Sequence, residues 1–315
     1  MKQKTYQRGI RQLFRLSAHD CSHGLRLDQY LSDEIPDLSR TEARKIIDLG
    51  GVHLDGRRVR TCSLTVHNNA QIEMYTDGLP FEIFRLAEEH ILHRDKYLLV
   101  INKPAGIDTQ PTPSRYKGTL YDALLVLLGP TPGQRKPELG MVQRLDRGTS
   151  GLMVFSIHQN SHKGLTKIFL EHQVDKRYLA LVENAPQPAA SEICSMLARS
   201  RKYNRMVSVQ HGGKNAITRY QTRLAGASGA LLDIELLTGR SHQIRTHLSE
   251  VGSALLGDSL YGGMMSAAGF TFDRPMLHAY KLAFKHPVTL EQLTFELPMP
   301  DDMKSVCDKF FDGLV

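Results

Sequence analysis

The sequence predicts an α+β protein of two domains. The chain has 315 residues, of which 41% are hydrophobic, so it is long and apolar enough to form two cores. Helical and strand patterns both occur: an amphipathic helix over 40–49 leads into a short hairpin, and longer apolar strands recur from residue 96 onwards. We interpret the turn-rich stretch 77–85 between these two parts as a linker.

The small domain is predicted to span residues 25–76. Apolar residues at helical spacing over 27–31 indicate a first short helix. Ser39, with Glu42 three residues later, forms a capping box for the helix over 40–49, which a Gly-Gly pair ends. A strand, a turn at Asp55-Gly56 and a return strand then complete a hairpin.

The charge of the chain is +7 and is unevenly distributed. The first fifteen residues hold five of the 40 basic side chains and none of the 33 acidic ones, so the rest of the chain is nearly balanced. We therefore expect residues 1–24 to form a basic tail, and such tails are often solvated arms. A polyanion partner is indicated, but binding must be argued from local patches.

Several function classes are not favoured by the sequence. It has no run of eighteen apolar residues, so we expect no membrane span, and the basic N-terminus lacks the apolar segment of a secretory signal. The four cysteines are scattered without a C-x-x-C pair, which is typical of reduced thiols in a cytoplasmic protein and argues against zinc.

The larger domain is predicted at 86–315. Its apolar strand at 96–101 ends in a Pro-Gly loop, Thr119 can cap the next helix, and a Pro/Gly-rich loop over 129–140 follows. Further on, Ser161 is a candidate cap for a helix. We also expect a strand that begins with Tyr178, strands over 218–224 and 229–237, and a closing helix over 301–314.

The most unusual stretch surrounds Asp146. It lies between Arg144 and Arg147, and a sharp Gly-Thr-Ser-Gly turn and an apolar strand follow it. Nearby positive charge favours the ionised form of a carboxylate, which suits a nucleophile or a base better than a proton donor. A surface loop with a local ion pair is the alternative.

Two further segments combine charge with an ordered pattern. Ser241 is a candidate N-cap for a helix whose buried stripe is Ile244, Leu248 and Val251, with Arg245 off that stripe. Two histidines in this segment are five residues apart, which does not suit two metal ligands on one helical face. Basic residues also surround Tyr203, a pattern that fits either an RNA strand or a solvated loop: Arg199, Arg201, Lys202 and Arg205.

The motifs resemble those of known families. Gln-Arg-Leu-Asp-x-x-Thr-Ser-Gly at 143–151 resembles the catalytic motif of the RluA-type RNA pseudouridine synthases, which usually have His where this chain has Gln143. Asn-Lys-Pro at 102–104, Lys-x-Tyr at 176–178 and Gly-Arg-x-His-Gln-Ile-Arg-x-His at 239–247 resemble further segments of the same family.

The small domain resembles an S-four-type RNA-binding domain. The matching patterns are Arg-Leu-Asp-x-x-Leu, Leu-Ser-Arg and Val-x-Leu-Asp-Gly-Arg-x-Val. The resemblance implies a phosphate-facing surface, and six basic against three acidic residues over 40–60 favour it over a merely solvated helix. The residues of this predicted surface are Arg40, Arg44, Lys45, Arg57, Arg58 and Arg60.

The resemblance also implies a fold and a reaction. We expect a mixed, largely antiparallel sheet flanked by helices, with a central cleft, which converts uridine to pseudouridine in RNA without cofactor or metal. Because a stacked base is out of reach, the target nucleotide must be flipped out. Asp146 would be the catalytic carboxylate, as nucleophile or as base, and Arg245 would pair with it. Tyr178 would stack on the flipped uracil and could handle the proton at carbon five, and Arg144 would fill the space that the base leaves.

Other interpretations stay open at this point. The chain could be a non-catalytic RNA-binding or ribosome-assembly protein of the same fold, or a hydrolase that releases free uracil, although such hydrolysis usually needs a second carboxylic acid. Ribosomal RNA is the favoured partner by family habit and transfer RNA the alternative. We expect a monomer that does not bind membranes. Arg201 and Lys202 are expected to contact the RNA.

Overall fold

The computed structural model describes residues 5–19, 24–130 and 137–311. They separate into two compact units. The first comprises residues 1–86 together with 108–129, and the second comprises 87–107 together with 130–315.

The first unit contains a four-stranded antiparallel sheet in the order β1-β4-β2-β3. Its core is formed by apolar side chains of the sheet and of two helices, among them Phe14, Leu27, Tyr30, Ile47 and Met74. The elements of this unit are β1 (Arg11–Ser17), α1 (Leu27–Glu34), α2 (Arg40–Leu49), β2 (Val52–Leu54), β3 (Arg57–Val59), β4 (Gln71–Asp77) and α3 (Leu120–Leu128).

The predicted helix over 40–49 of this unit is confirmed. Ser39 caps α2 as predicted, since the Glu42 N–H donates to Ser39 Oγ at 3.2 Å. The second contact of the predicted capping box instead joins the two side chains, because the Ser39 hydroxyl donates to the Glu42 carboxylate at 2.8 Å. The helix ends at Gly50, whose φ of 89° lies in the left-handed region that favours glycine. The helix over 27–31 and the hairpin of β2 and β3 also form as expected.

The expectation of a solvated basic tail is wrong for residues 11–17, which form β1. This strand pairs with β4 along its whole length, from Arg11 opposite Asp77 to Ser17 opposite Gln71. Phe14 is buried in the core and Leu16 packs against it, while Arg11 and Arg15 stay exposed. Strand alternation therefore overrides the charge of this segment. Residues 1–4 and 20–23 of the predicted tail lie outside the described residues.

Residues 108–129, assigned by sequence to the larger domain, pack with the first unit instead. Arg115 is 5% exposed, and its guanidinium donates to the Asp77 carboxylate at 2.8 Å and to the carbonyl oxygens of Pro80 and Glu82 at 2.7 and 3.2 Å. Thr119 caps α3 as predicted. A buried arginine with polar partners on all sides therefore fixes the turn-rich stretch after β4.

The second unit contains an eleven-stranded sheet, and the predicted mixed, largely antiparallel arrangement is confirmed. Nine strands follow the order β11-β10-β12-β13-β9-β16-β8-β6-β5, with β17 beside β16 and β7 beside β8. The pair of β16 and β8 is parallel. Strands of the sheet are β5 (Ile91–Arg94), β6 (Leu98–Lys103), β7 (Gly140–Met141), β8 (Ser150–Ser156), β9 (Val174–Val182), β10 (Ala190–Ser200), β11 (Arg205–Val209), β12 (Lys214–Gly226), β13 (Gly229–Leu236), β16 (Leu277–Lys285) and β17 (Gln292–Glu296).

In the described part of the second unit, three α-helices, a 3₁₀ helix (Glu88–His90) and a small hairpin accompany this sheet. Two strands, β14 (Ser266–Ala267) and β15 (Phe270–Thr271), form a separate two-stranded sheet among the described residues. The α-helices are α4 (Gln159–Leu170), α5 (Gln243–Glu250) and α6 (Asp301–Phe310). The last of them is the predicted closing helix. Among the described residues, each helix is too short or too polar to cross a membrane.

Several predicted boundaries of the second unit are wrong by a few residues. The cap of α4 is His158, whose Nδ1 accepts from the Asn160 N–H, whereas Ser161 lies inside the first turn and its hydroxyl donates to the Tyr97 carbonyl. Strand β9 begins four residues before Tyr178. Residues 131–136 of the predicted loop lie outside the described residues.

The predicted start and buried stripe of α5 are also corrected. His242, not Ser241, occupies the cap position, with a left-handed φ of 52°. Ile244 and Leu248 are buried, but Val251 is 42% exposed because the helix ends at Glu250.

An acidic side chain without solvent exposure lies at the start of α1. Asp28 receives the guanidinium groups of Arg26 and Arg40 at 3.1 Å each and that of Arg44 at 2.6 Å. Burial alone would raise the pKa of Asp28, but the hydrogen bonds from the three arginines outweigh it and hold that pKa well below its usual range. Two arginines of the predicted phosphate-facing surface, Arg40 and Arg44, are therefore ordered by an internal carboxylate.

We predict that Asp28→Asn lowers the free energy of unfolding by about 2 kcal/mol at neutral pH, because it removes the charge that three half-exposed guanidiniums share. A carboxylate whose pKa is lowered by folding stabilises the fold above the unfolded pKa, near 4, and loses that effect as pH falls further. The difference between wild type and variant in urea denaturation should therefore shrink below about pH 4. The exposed Asp33→Asn is the control, and equal stabilities of Asp28→Asn and wild type at pH 7 would contradict the prediction.

Candidate active site

Asp146 lies on a tight loop that leads into β8. The neighbouring Leu145 is buried, whereas the Asp146 side chain is 27% exposed, and the Thr149 N–H donates to the Asp146 carbonyl at 3.0 Å. Gly151 has a φ of 116°, and a Cβ at this position would lie 2.2 Å from the carbonyl oxygen of Ala279. The glycine of the motif therefore allows β8 to approach β16 closely.

The end of this loop is anchored by a buried pair. The Ser150 hydroxyl and His278 Nδ1 are 2.8 Å apart. Burial lowers the pKa of His278 to about 4, so the imidazole is neutral at physiological pH.

Lys103 binds the backbone carbonyl groups of the Asp146 loop. Its side chain is fully buried, and its ammonium donates to the carbonyl oxygens of Thr149, Arg147 and Asp146 at 2.9, 3.3 and 3.4 Å, and to that of Pro104 at 2.9 Å. A buried ammonium must be solvated by the protein, and here the loop backbone does this. Sequence reasoning missed this role, although a lysine at the end of an otherwise apolar strand is a signal for it.

Arg245 bridges two carboxylates in the centre of the site. Its guanidinium forms a bidentate pair with the buried Asp258, at 2.6 and 2.8 Å, and donates through Nη1 to Asp146 Oδ2 at 3.1 Å. Burial would lower the pKa of Arg245, but the hydrogen bonds and charges of Asp258 and Asp146 outweigh it and raise that pKa. The predicted pairing of Arg245 with Asp146 is thus present, and Asp258 is a partner that the sequence analysis missed.

The two arginines that flank Asp146 in sequence make other contacts. Arg144 Nη2 donates to Ser241 Oγ at 3.0 Å, and Arg147 Nε donates to the Gly106 carbonyl at 2.9 Å. Arg245, 99 residues away in the chain, supplies the cation that the sequence analysis expected from Arg144 and Arg147.

Tyr178 is buried in the middle of β9, opposite Ile234 of β13 and Ala279 of β16. Burial raises the pKa of its phenol well above the usual value, and the charge of Asp146 acts in the same direction. Tyr178 therefore stays protonated at neutral pH, and it lies close enough to Asp146 for the charge of that carboxylate to disfavour the phenolate.

His242 adds an imidazole that sequence reasoning left without a role. Its Nε2 is 4.0 Å from Asp146 Oδ2, and its Nδ1 is 3.0 Å from the Tyr261 hydroxyl. The Met206 N–H also donates to this hydroxyl, at 2.9 Å. The Tyr261 ring faces the guanidinium of Arg245, with 5.0 Å from its carbon to the ring centroid.

The basic segment around Tyr203 forms the turn between β10 and β11. Arg201, Lys202 and Tyr203 are exposed there, and the Lys202 ammonium lies 4.9 Å from the centre of the Tyr203 ring. Arg205 Nη1 donates to the Leu260 carbonyl at 3.0 Å, which attaches this turn to the segment that carries Tyr261.

Most basic residues of the predicted phosphate-facing surface of the first unit contact other groups of the protein. Besides Arg40 and Arg44, Arg58 donates to the Thr112 carbonyl and faces the Tyr116 ring at 5.8 Å. Arg60 faces the same ring at 4.5 Å, Lys45 faces Phe81 at 5.4 Å, and Arg57 is exposed.

The chain matches two family models. Residues 97–250 match the RNA pseudouridylate synthase model, and residues 25–72 match the S4 domain model. These ranges contain the Asp146 loop, Tyr178 and Arg245 in the first case and the Asp28 cluster in the second.

Similar curated proteins and solved structures agree with these matches. The chain is 34% identical to ribosomal large subunit pseudouridine synthase D of Zymomonas mobilis, over 89% of this chain and 92% of that protein. It is 32% identical to the protein of the same name from Xanthomonas campestris, over 90% and 88%. The solved structure of human RNA pseudouridylate synthase domain containing 4 is 25% identical, with a TM-score of 0.56 over 70% of this chain and 92% of that one. On this evidence, and as the motifs predicted, the chain belongs to the RNA pseudouridine synthase family, and it carries an N-terminal S4 domain.

Proposed function

We propose that this RNA pseudouridine synthase modifies large-subunit ribosomal RNA and that Asp146 is its catalytic carboxylate. The observation that carries the catalytic assignment is the chain Asp146–Arg245–Asp258, in which a buried arginine bridges a part-exposed and a buried carboxylate. The relatives named ribosomal large subunit pseudouridine synthase D support the substrate.

The reaction needs one ionised, well-aimed carboxylate. The bond between uracil N1 and the ribose breaks, the base turns, and carbon five joins the sugar while its proton leaves and N1 gains one. Arg245 holds Asp146 Oδ2, which leaves Oδ1 to act on the sugar ring as the nucleophile or the base. Preorganised charge of this kind is a large contribution to catalysis. The atoms balance without an oxidant or reductant, so we propose that no cofactor is needed.

Tyr178 is proposed to stack on the flipped uracil. Its raised pKa argues against the phenolate, so the hydroxyl can donate a hydrogen bond, but removal of the proton from carbon five requires another acceptor. Arg144 is exposed, and within the described part of the chain its side chain donates to Ser241, so it can move into the space that the flipped base leaves.

Two basic surfaces are proposed to bind the RNA backbone. On the second unit, Arg201 and Lys202 would contact phosphates while Tyr203 stacks on a base. On the first unit, Arg57 and Lys45 are exposed, and the Asp28 cluster orders Arg40 and Arg44 at the surface. Arg58, by contrast, is engaged within the protein, where it donates to the Thr112 carbonyl and faces the Tyr116 ring. The contacts of Arg245 with Asp146 and Asp258 form within one polypeptide, so we propose that a monomer can be active. We propose a location in the cytoplasm because the scattered cysteines are typical of reduced thiols.

We predict that Asp146→Asn abolishes pseudouridine formation, because an amide of nearly equal volume cannot act as nucleophile or base. The rate should fall by several powers of ten, while RNA affinity changes little. The measurement is single-turnover pseudouridine formation at saturating RNA, with mapping of total RNA from cells with and without the gene to identify the uridine. A rate within tenfold of wild type, about 1.4 kcal/mol in the barrier, would exclude Asp146. Release of free uracil by wild type would indicate a hydrolase instead.

We predict that the double substitution Arg201→Gln and Lys202→Gln weakens RNA binding and reduces the slope of log K against log salt by about 1 to 2, because each phosphate contact releases a counterion. The control pair, Lys285→Gln and Lys309→Gln, removes two exposed lysines elsewhere on the unit. If both pairs have the same effect, the turn between β10 and β11 does not contact the backbone.

We predict that Lys103→Met slows the single-turnover rate about ten- to a hundredfold with RNA affinity within about threefold, because the Asp146 loop loses the ammonium that its carbonyl groups share. A lower midpoint of thermal unfolding should accompany this loss. Lys96→Met, an exposed lysine on the same hairpin, is the control. A wild-type rate in Lys103→Met would show that the loop is held without it.

A further inference from the structure

The gap between His242 and Asp146 has a size that suits one shared oxygen atom. The 4.0 Å between Nε2 and Oδ2 is too long for a direct hydrogen bond. An oxygen that accepts from Nε2 at about 2.9 Å and donates to Oδ2 at about 2.7 Å spans this gap with an angle of about 90°. A hydroxyl group can do both at once, since it carries one donor and two acceptor positions.

The contacts of the Tyr261 hydroxyl bear on which nitrogen of His242 carries hydrogen. This hydroxyl accepts from the Met206 N–H, has Thr246 as a further side-chain partner and lies 3.0 Å from His242 Nδ1. We consider the arrangement in which Tyr261 donates its hydrogen to Nδ1. A neutral imidazole that accepts at Nδ1 carries its hydrogen on Nε2, on the side of Asp146. Burial lowers the pKa of His242 and favours the neutral imidazole, and the charges of Arg245 and Arg199 act in the same direction. The negative charges of Asp146 and Asp258 oppose this effect.

The backbone holds this arrangement. His242 has a left-handed φ of 52° at the start of α5, three residues before Arg245. Its side chain is 29% exposed, whereas Tyr261 is buried. A side chain on a strained backbone, fixed at one ring nitrogen and open at the other beside a reactive carboxylate, is typical of a substrate contact.

We propose that His242 and Asp146 together bind a ribose hydroxyl of the target nucleotide, the 2′-hydroxyl, which adjoins the carbon where the glycosidic bond breaks. His242 Nε2 donates to this oxygen and Asp146 Oδ2 accepts from it, so His242 is a specificity-determining residue for ribose over deoxyribose. The inference rests on the proposed function of Asp146.

The test is a double-mutant cycle between the imidazole and the hydroxyl. The probes are two synthetic stem-loops of large-subunit ribosomal RNA that carry the mapped uridine, one as ribonucleotide and one with 2′-deoxyuridine at that position. His242→Asn is the variant, because asparagine tolerates left-handed backbone and its shorter amide does not place a donor at Nε2. Single-turnover rates are measured for both proteins on both RNAs.

We expect His242→Asn to lose about tenfold in rate on the ribose substrate and nothing further on the deoxy substrate, because the hydroxyl that it contacts is already gone. An equal loss on both substrates, or no loss on either, would overturn the proposal. Tyr261→Phe keeps the ring under Arg245 but frees the imidazole, so a smaller loss confined to the ribose substrate is expected. His211 is exposed, and the control variant His211→Ala should have the wild-type rate on both substrates.

Where the deoxy substrate reacts too slowly to measure, the same cycle is run on RNA affinity in the Asp146→Asn background, whose amide oxygen still accepts from a hydroxyl. Additive effects there would also overturn the proposal. Two other results would contradict the proposed function itself. They are a wild-type protein that does not convert the ribose substrate, and an Asp146→Asn variant that does convert it.

Discussion

The second unit depends on one arginine shared by two carboxylates. Arg245 is nearly buried, and a guanidinium in that position is tolerated only when its hydrogen bonds are satisfied. Asp258 provides two of them, so the side chain is already fixed before Asp146 is considered. Of the donors that remain, one N–H of Nη1 is aimed at Asp146 Oδ2. The Asp146 carboxylate is thus held by a cation that is itself fixed by Asp258, which is the condition for electrostatic preorganisation.

The opposite side of Asp146 is controlled through the backbone. Lys103 binds the carbonyl groups of the loop from the end of β6, and the close approach of β8 to β16 at Gly151 fixes where the loop re-enters the sheet. Side chain and backbone of Asp146 are therefore constrained by different buried cations. Each cation draws its solvation from the groups that it orders, so neither could be replaced by an apolar residue without leaving polar atoms unpaired.

The first unit uses the same physical device for another purpose. Asp28 is buried among Arg26, Arg40 and Arg44, and the three guanidiniums stay about half exposed. The buried Asp28 carboxylate thus holds three arginine side chains together at the surface, where their like charges would otherwise repel one another. In a domain of the S4 type this arrangement is well suited to a phosphate backbone, because the arginines are ordered before the RNA arrives.

The sequence by itself determined the two parts of the protein, most helices and strands, and the family, because caps, turns and motifs are local and can be recognised along the chain. Ser39 with Glu42, Thr119 and the Asp146 motif are examples. The basic N-terminal segment was misjudged, since its charge is visible in the sequence whereas its pairing with β4, about sixty residues away, is not. The assignment of 108–129 failed for the same reason, because the partners of Arg115 lie more than thirty residues upstream.

Beyond the pair of Arg245 with Asp146, which the family resemblance had implied, only the tertiary structure decided which charges meet. The arginines next to Asp146 in sequence bond to Ser241 and Gly106, while the cation at its carboxylate comes from 99 residues away. Asp258, Lys103 and His242 entered the site for the same reason. Their residue types are unremarkable alone, and their roles arise from distances set by sheet register and helix placement. Long-range pairing of buried polar groups is a property of the whole fold, so no local pattern contains it.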